Sequence, residues 1–72
     1  MEMESVDSSN IREIGYDEAE KTLGIIFHSG ILYHYFEVTP ETFEEFKTAD
    51  SLGKYFNANI RNQYDFTNMG PV

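Results

Sequence analysis

Lys54, Asn57 and Arg61 are the residues of this chain best suited to hold an anion. They lie in the stretch Ser51 to Tyr64, SLGKYFNANIRNQY, which has no acidic residue in a protein of formal net charge -8. Of the 13 Asp and Glu residues, only Asp65 follows position 50. A guanidinium grips phosphate or carboxylate with two parallel hydrogen bonds, and an amide beside it reads polar edges. Tyr33 and Tyr35 supply phenol rings that can stack on bases, each stack being worth about 1–3 kcal/mol. Ser9 and Asn10 add short polar side chains, and Tyr55 lies within the basic stretch. These residues compose the candidate ligand site.

Each also has a structural reading. Arg61 can tie down a carboxylate of its own chain, such as Asp17 or Asp50, in a surface pair worth about 0–1 kcal/mol. Tyr33 and Tyr35 can cover a second small core, under the chain's end or against another subunit. Ser8, Ser9 and Asn10 can turn the chain through side-chain-to-backbone hydrogen bonds.

Other chemistries have less support. There is no cysteine, so thiolate metal sites and disulfides are excluded. His28 and His34 are expected on opposite faces of a strand pair, too divergent to share a metal. Glu44 and Glu45 are adjacent on a helix and point apart, unlike a hydrolytic carboxylate pair. Gly53-Lys54 lacks the preceding glycine frame of a phosphate loop. The expected function is therefore a non-catalytic binding module for a nucleotide or short single-stranded nucleic acid, with no cofactor or metal. One variant sequesters a nucleotide at the interface of a homo-oligomer. The alternative is an acidic interaction or inhibitor protein that mimics nucleic acid and presents Glu41, Glu44 and Glu45 to a basic partner.

The elements that position these side chains follow from patterning. Seventy-two residues allow one domain, and a chain this short buries only about 60% of its unfolded surface. Six Phe and five Tyr point to an aromatic core. The beginning, MEMESVDSSN, has neither a basic nor an apolar signal-peptide segment, and no run is long enough to span a membrane, so a soluble cytoplasmic protein is expected. Residues 1–7 are expected to be loose, 8–66 to form the domain and 67–72 to be a tail. Just ahead of that tail, Tyr64 and Phe66 can lie against the sheet as an extra extended segment.

A first strand is expected over Ser9 to Tyr16. TLGIIFH and ILYHYFEV, separated by Ser29-Gly30, read as a two-residue hairpin. That loop pairs Phe27 with Leu32, Ile25 with His34 and Leu23 with Phe36, and puts Tyr33 and Tyr35 on the face away from the core. Thr39 and Pro40 open a helix running to about Ala49, with Phe43 and Phe46 on its apolar stripe. Asp50 or Ser51 caps a second helix whose Leu52, Phe56 and Ile60 turn inward. At about 100° per residue, Lys54, Asn57 and Arg61 then project outward. The fold class is α+β: a small three-stranded antiparallel sheet followed by two short helices.

The chain resembles the KTSC domain, a family named for the C-terminus of certain lysyl-tRNA synthetases that also occurs as stand-alone short proteins. The resemblance rests on Ser8-Ser9-Asn10-Ile11, Ile14-Gly15-Tyr16-Asp17, the pair Tyr33-x-Tyr35, and Ala49-Asp50-Ser51-x-Gly53-x-Tyr55-Phe56-Asn57-x-x-Ile60-Arg61 with Tyr64. It implies a compact α+β module, and RNA binding is suggested for the family. Its pattern marks Ser9, Asn10, Tyr16, Tyr33, Tyr35, Ser51, Gly53, Tyr55, Asn57 and Arg61 as candidates. One departure is Thr39 between Val38 and Pro40, where the family has Val-Pro.

Overall fold

A computed structural model describes residues 1–72. Five antiparallel strands form one sheet in the order of the chain: β1 (Met3–Ser5), β2 (Ile11–Asp17), β3 (Thr22–Phe27), β4 (Ile31–Tyr35) and β5 (Phe66–Pro71). Between β4 and β5 the chain leaves the sheet for α1 (Pro40–Lys47) and α2 (Leu52–Tyr55). The latter widens into one π-helical turn over Phe56–Ile60. The α+β class holds, but the sheet has five strands rather than three. The additional strands, β1 and β5, fall in the segments expected to be a loose start and a tail.

The β3–β4 pairing differs from the expected register by one residue. Leu23 opposes Tyr35, Ile25 opposes Tyr33 and Ile26 opposes Leu32. The cause is the turn, which uses three residues, His28-Ser29-Gly30. Gly30 adopts φ +89, a left-handed conformation that suits glycine, and its N–H donates to the Phe27 carbonyl at 2.8 Å. A one-residue slip moves every side chain of a strand to the other face. Tyr33 and Tyr35 therefore join Leu23, Ile25 and Phe27 on the helix-covered face, whereas Leu32 and His34 turn away from it.

The core lies between this face and the helices. Ile11, Ile14, Leu23, Ile25 and Tyr35 from the sheet meet Val38, Phe46, Phe56 and Ile60. The helix ends form as their sequences dictate. Thr39 Oγ1 accepts from the Thr42 N–H at 3.2 Å, and Ser51 Oγ accepts from the Lys54 N–H at 3.3 Å. Tyr16 fastens α1 to the sheet. Its ring stacks on Phe43 with centroids 4.8 Å apart, and its hydroxyl donates to the Val38 carbonyl.

The opposite face is thinly covered. Gly15 and Gly24 oppose each other there, and the side chains of Met1 and Met3 lie across them. A methyl group at Gly15 would stand 2.5 Å from the Glu2 backbone oxygen, a neighbour that yields only if β1 moves. At Gly24 the obstruction is the flexible end of Met1. Gly15→Ala is expected to destabilise the fold by about 1–3 kcal/mol, and Gly24→Ala by clearly less. Urea denaturation of both variants checks this ordering. No helix is long and apolar enough to cross a membrane.

Candidate functional site

A hollow of about 720 Å³ opens on the helix-covered side of the sheet, near the β3–β4 turn. Three segments wall it: the Ser9–Ile11 entry into β2, the stripe Gly53, Asn57 and Arg61, and Phe66 at the start of β5. Its floor is aromatic. Tyr33 and Tyr35 lie 6.3 Å apart at 28°, and Phe66 is 5.8 Å from Tyr33 and 5.6 Å from Tyr35. Phe27 and Phe56 close the inner side, 5.4 Å apart and edge to face. Tilted and edge-on contacts are arrangements that aromatic pairs favour.

Local chemistry fixes the polar rim. The His28 Nε2 lies 2.8 Å from the Ser8 carbonyl, and in the tautomer that donates there it pins the Ser8–Asn10 turn. The backbone N–H of His28 donates to the Asn10 carbonyl at 3.0 Å. Ser8 Oγ accepts long bonds of 3.4 Å from the N–H groups of Asn10 and Ile11. Ser8 thus has the turn-forming role, while Ser9 and Asn10 line the hollow. On the other wall, the π-helical turn closes with the Arg61 N–H donating to the Phe56 carbonyl at 2.8 Å. Arg61 then leaves the helix with extended backbone, φ -59 and ψ 128.

Arg61 has no carboxylate partner in its own chain. The two ion pairs are Arg12 with Glu13 at 3.3 Å and Lys47 with Glu4 at 4.0 Å. Neither Asp17 nor Asp50 binds the guanidinium. No Asp or Glu lines the hollow. Burial pushes the Tyr35 phenol up to about 12, the neighbouring Tyr33 adds to the rise, and the positive charge of Arg61 works against it. Neither tyrosine hydroxyl in the hollow has a hydrogen-bond partner within the protein, although no fully buried side-chain polar atom is left unsatisfied.

The structure brings together six of the expected site residues: Ser9, Asn10, Tyr33, Tyr35, Asn57 and Arg61. Tyr35 is 5% exposed and belongs to the core as much as to the hollow, whereas Tyr33 is half-buried. Lys54 and Tyr55 stand apart. Lys54 lies one residue around the helix from the Gly53–Asn57–Arg61 stripe and is exposed. Tyr55 points to α1, where its hydroxyl donates to Glu45 Oε1 at 2.8 Å and its ring lies 5.8 Å from Phe46. Its role is to join the helices. Sequence reasoning missed Phe27, Phe56, Phe66 and His28. The signal for Phe27 was the register, and that for Phe66 was the strand pairing of its own segment.

Of the acidic group on α1, Glu41, Glu44 and Glu45 are all exposed, with Glu45 engaged by Tyr55. No three His, Cys, Asp or Glu side chains gather in a metal-binding arrangement. His34 lies on the sheet face away from the helices, opposite Gly24, and is not the core histidine the expected register implied.

The Tyr35 and Tyr55 phenols make stability sensitive to alkali. Burial first, then the hydrogen bond to Glu45, pushes Tyr55 up to about 12, from an ordinary value near 10. A group that holds its proton more tightly when folded contributes stability below its unfolded pKa and loses it as pH rises through the folded one. Tyr35 and Tyr55 should therefore give constant stability up to about pH 10 and a falling denaturation midpoint from about 10 to 12. Tyr55→Phe should flatten part of that fall. A midpoint that is level across this range contradicts the burial argument.

Known proteins share this arrangement of elements. The KTSC domain pattern matches residues 7–64. The chain is 39% identical over 62 residues to a protein from Tsukamurella paurometabola, covering 86% of this chain and 92% of that one. It is 35% identical over 63 residues to the lysine–tRNA ligase of Nostoc punctiforme, covering 88% of this chain but 11% of the ligase. The crystal structure of a KTSC domain protein from Yersinia pestis superposes with a TM-score of 0.93 at 30% identity, covering 96% of this chain and 97% of that one. With its pattern matched from entry turn to second helix and its fold shared throughout, the chain belongs to the KTSC domain family.

Proposed function

We infer that the hollow binds a nucleotide, or one end of a short single-stranded nucleic acid, without catalysing a reaction on it. The observation that carries this reading is the charge of the lining. A chain of net charge -8 keeps every carboxylate out of one hollow and leaves an unpaired guanidinium at its rim. Arg61 would take a phosphate with paired hydrogen bonds. Tyr33 and Phe66 offer ring surface to a base, and Asn10 and Asn57 offer amides to its polar edge. The volume falls within the roughly 300–1,000 Å³ of small-molecule pockets.

A long nucleic acid fits poorly, since its affinity comes from many phosphate contacts and one arginine supplies few. The similar segment within lysine–tRNA ligases agrees with a ligand built from nucleotides.

Calorimetric titration with nucleoside monophosphates and trinucleotides tests the reading. Binding that weakens with salt, and that survives charge reversal of Glu41, Glu44 and Glu45, supports it. No heat from any of these ligands at millimolar concentration overturns it. Salt-sensitive capture of a basic protein, lost on the same charge reversal, favours the acidic-interaction alternative.

A further inference from the structure

The sheet has two open edges of different character. β1 is three residues long and carries Glu4, with Glu2 and Asp7 flanking it. Short, charged edges resist pairing with another chain. β5 is six residues long, and residues 66–72, FTNMGPV, carry no charge. Three of the four exposed large hydrophobic residues of the whole chain lie in this segment: Phe66 at 56%, Met69 at 50% and Val72 at 67% exposed. β5 pairs with β4 on one side alone. A bulge at Met69 and the missing N–H of Pro71 blunt its far end, so the regular stretch Phe66–Asn68 is the part of its outer edge open to another strand.

We propose that β5 is the seam of a homodimer, in which two copies pair their β5 strands antiparallel about a two-fold axis and each closes the open side of the other's ligand hollow. The occupant is a second copy because of charge. Two molecules of net charge -8 repel each other over most of their surfaces. A neutral strand meeting its own neutral counterpart is where that repulsion is least. A basic partner would instead gain most at the acidic faces, away from β5.

A two-fold axis perpendicular to the sheet keeps the helices of both copies on one side. Phe66 lies opposite Tyr35, and Asn68 opposite Tyr33, so both project on the hollow's side of β5. The two hollows would then open toward each other across the seam, with the exposed Phe66 rings between them. The part of the proposal concerning the hollow rests on its reading as a ligand site, whereas the seam itself does not.

A strand pair this short buries less than the roughly 1,200 Å² of standard interfaces, so the dimer should dissociate on dilution. Analytical ultracentrifugation across a concentration series tests this. Wild-type protein should shift from monomer to dimer as concentration rises. Met69→Glu and Met69→Lys should each weaken the dimer by about tenfold or more through like charges at the seam. Mixing the two variants should restore it, a rescue that a folding defect would not produce. Wild-type protein that remains monomeric at millimolar concentration overturns the proposal, as does a dimer indifferent to both substitutions. A monomer that binds nucleotide defeats the seam but spares the site. A β5-dependent dimer that binds no nucleotide defeats the site but spares the seam.

Discussion

Phe46→Ala should remove a large share of the stability of this domain. Phe46 is 0% exposed and is the single buried side chain of α1. Truncating a buried phenylalanine costs about 3–5 kcal/mol, from lost transfer energy and the cavity left behind. A domain of 72 residues has a total of roughly 4–11 kcal/mol to lose. The effect should spread, because the Phe46 ring also supports Tyr55, whose hydroxyl holds Glu45. With both contacts weakened, the Tyr16–Phe43 stack and the long Lys47–Glu4 ion pair are the contacts left to hold α1 against the sheet. Urea denaturation should place the midpoint of Phe46→Ala far below that of the wild type. Phe46→Leu, which fills most of the space, should retain a cooperative transition. A loss below about 1.5 kcal/mol for the alanine variant would mean that the helices are held by something other than this ring.

The sequence carried some of these elements clearly and others ambiguously. α1 was legible because its signals agree: Thr39 caps it, Pro40 starts it, and Phe43 and Phe46 share a stripe. The register of β4 was not legible. Ser29-Gly30 suits a two-residue turn, but Gly30 suits equally the left-handed position of a three-residue turn. Periodicity could not decide between them, since Leu32, His34 and Phe36 are about as apolar as Ile31, Tyr33 and Tyr35. Gly15 and Gly24 break the tie in three dimensions, because they leave the outer face too shallow for a core. β1 was too short for a period of two to be evident. β5 was concealed by Gly70 and Pro71, which read as an end and yet are tolerated on an edge strand.

The candidate site was legible to the extent that it depends on local spacing. Asn57 and Arg61 are four apart and remain on one stripe with Gly53. Ser9 and Asn10 occupy the turn their composition suggests. Tyr33 and Tyr35 reached the hollow for a reason opposite to the expected one. They face the helices, and the expected hairpin would have placed them on the far side of the sheet. The π-helical turn also had no sequence signature, and it is the local feature after which Arg61 leaves the helix.

Arg61→Ala should weaken ligand binding by about one to two orders of magnitude and leave the fold intact. Arg61 is exposed and makes no ion pair, so truncating it breaks no salt bridge of the fold. Its unfolding free energy should change by no more than ordinary surface substitutions produce, about 0.5 kcal/mol. For a bound phosphate the loss is larger. Hydrogen bonds to charged groups are worth about 1.5–3 kcal/mol, so affinity should fall by roughly 10- to 150-fold.

Arg61→Lys keeps the charge but not the planar fork, and should fall between the two. Lys54→Ala should change affinity little, since Lys54 does not line the hollow. A second readout needs no ligand. Because the positive charge of Arg61 opposes the upward shift of Tyr35, its removal should make the Tyr35 phenol still harder to ionise, visible in the alkaline tyrosinate absorbance. If that titration moves but nucleotide affinity does not, Arg61 stands beside the phenol as described and the anion is gripped elsewhere. If affinity alone is lost, the contact with ligand is direct, and the two groups are farther apart than the shared lining of the hollow implies.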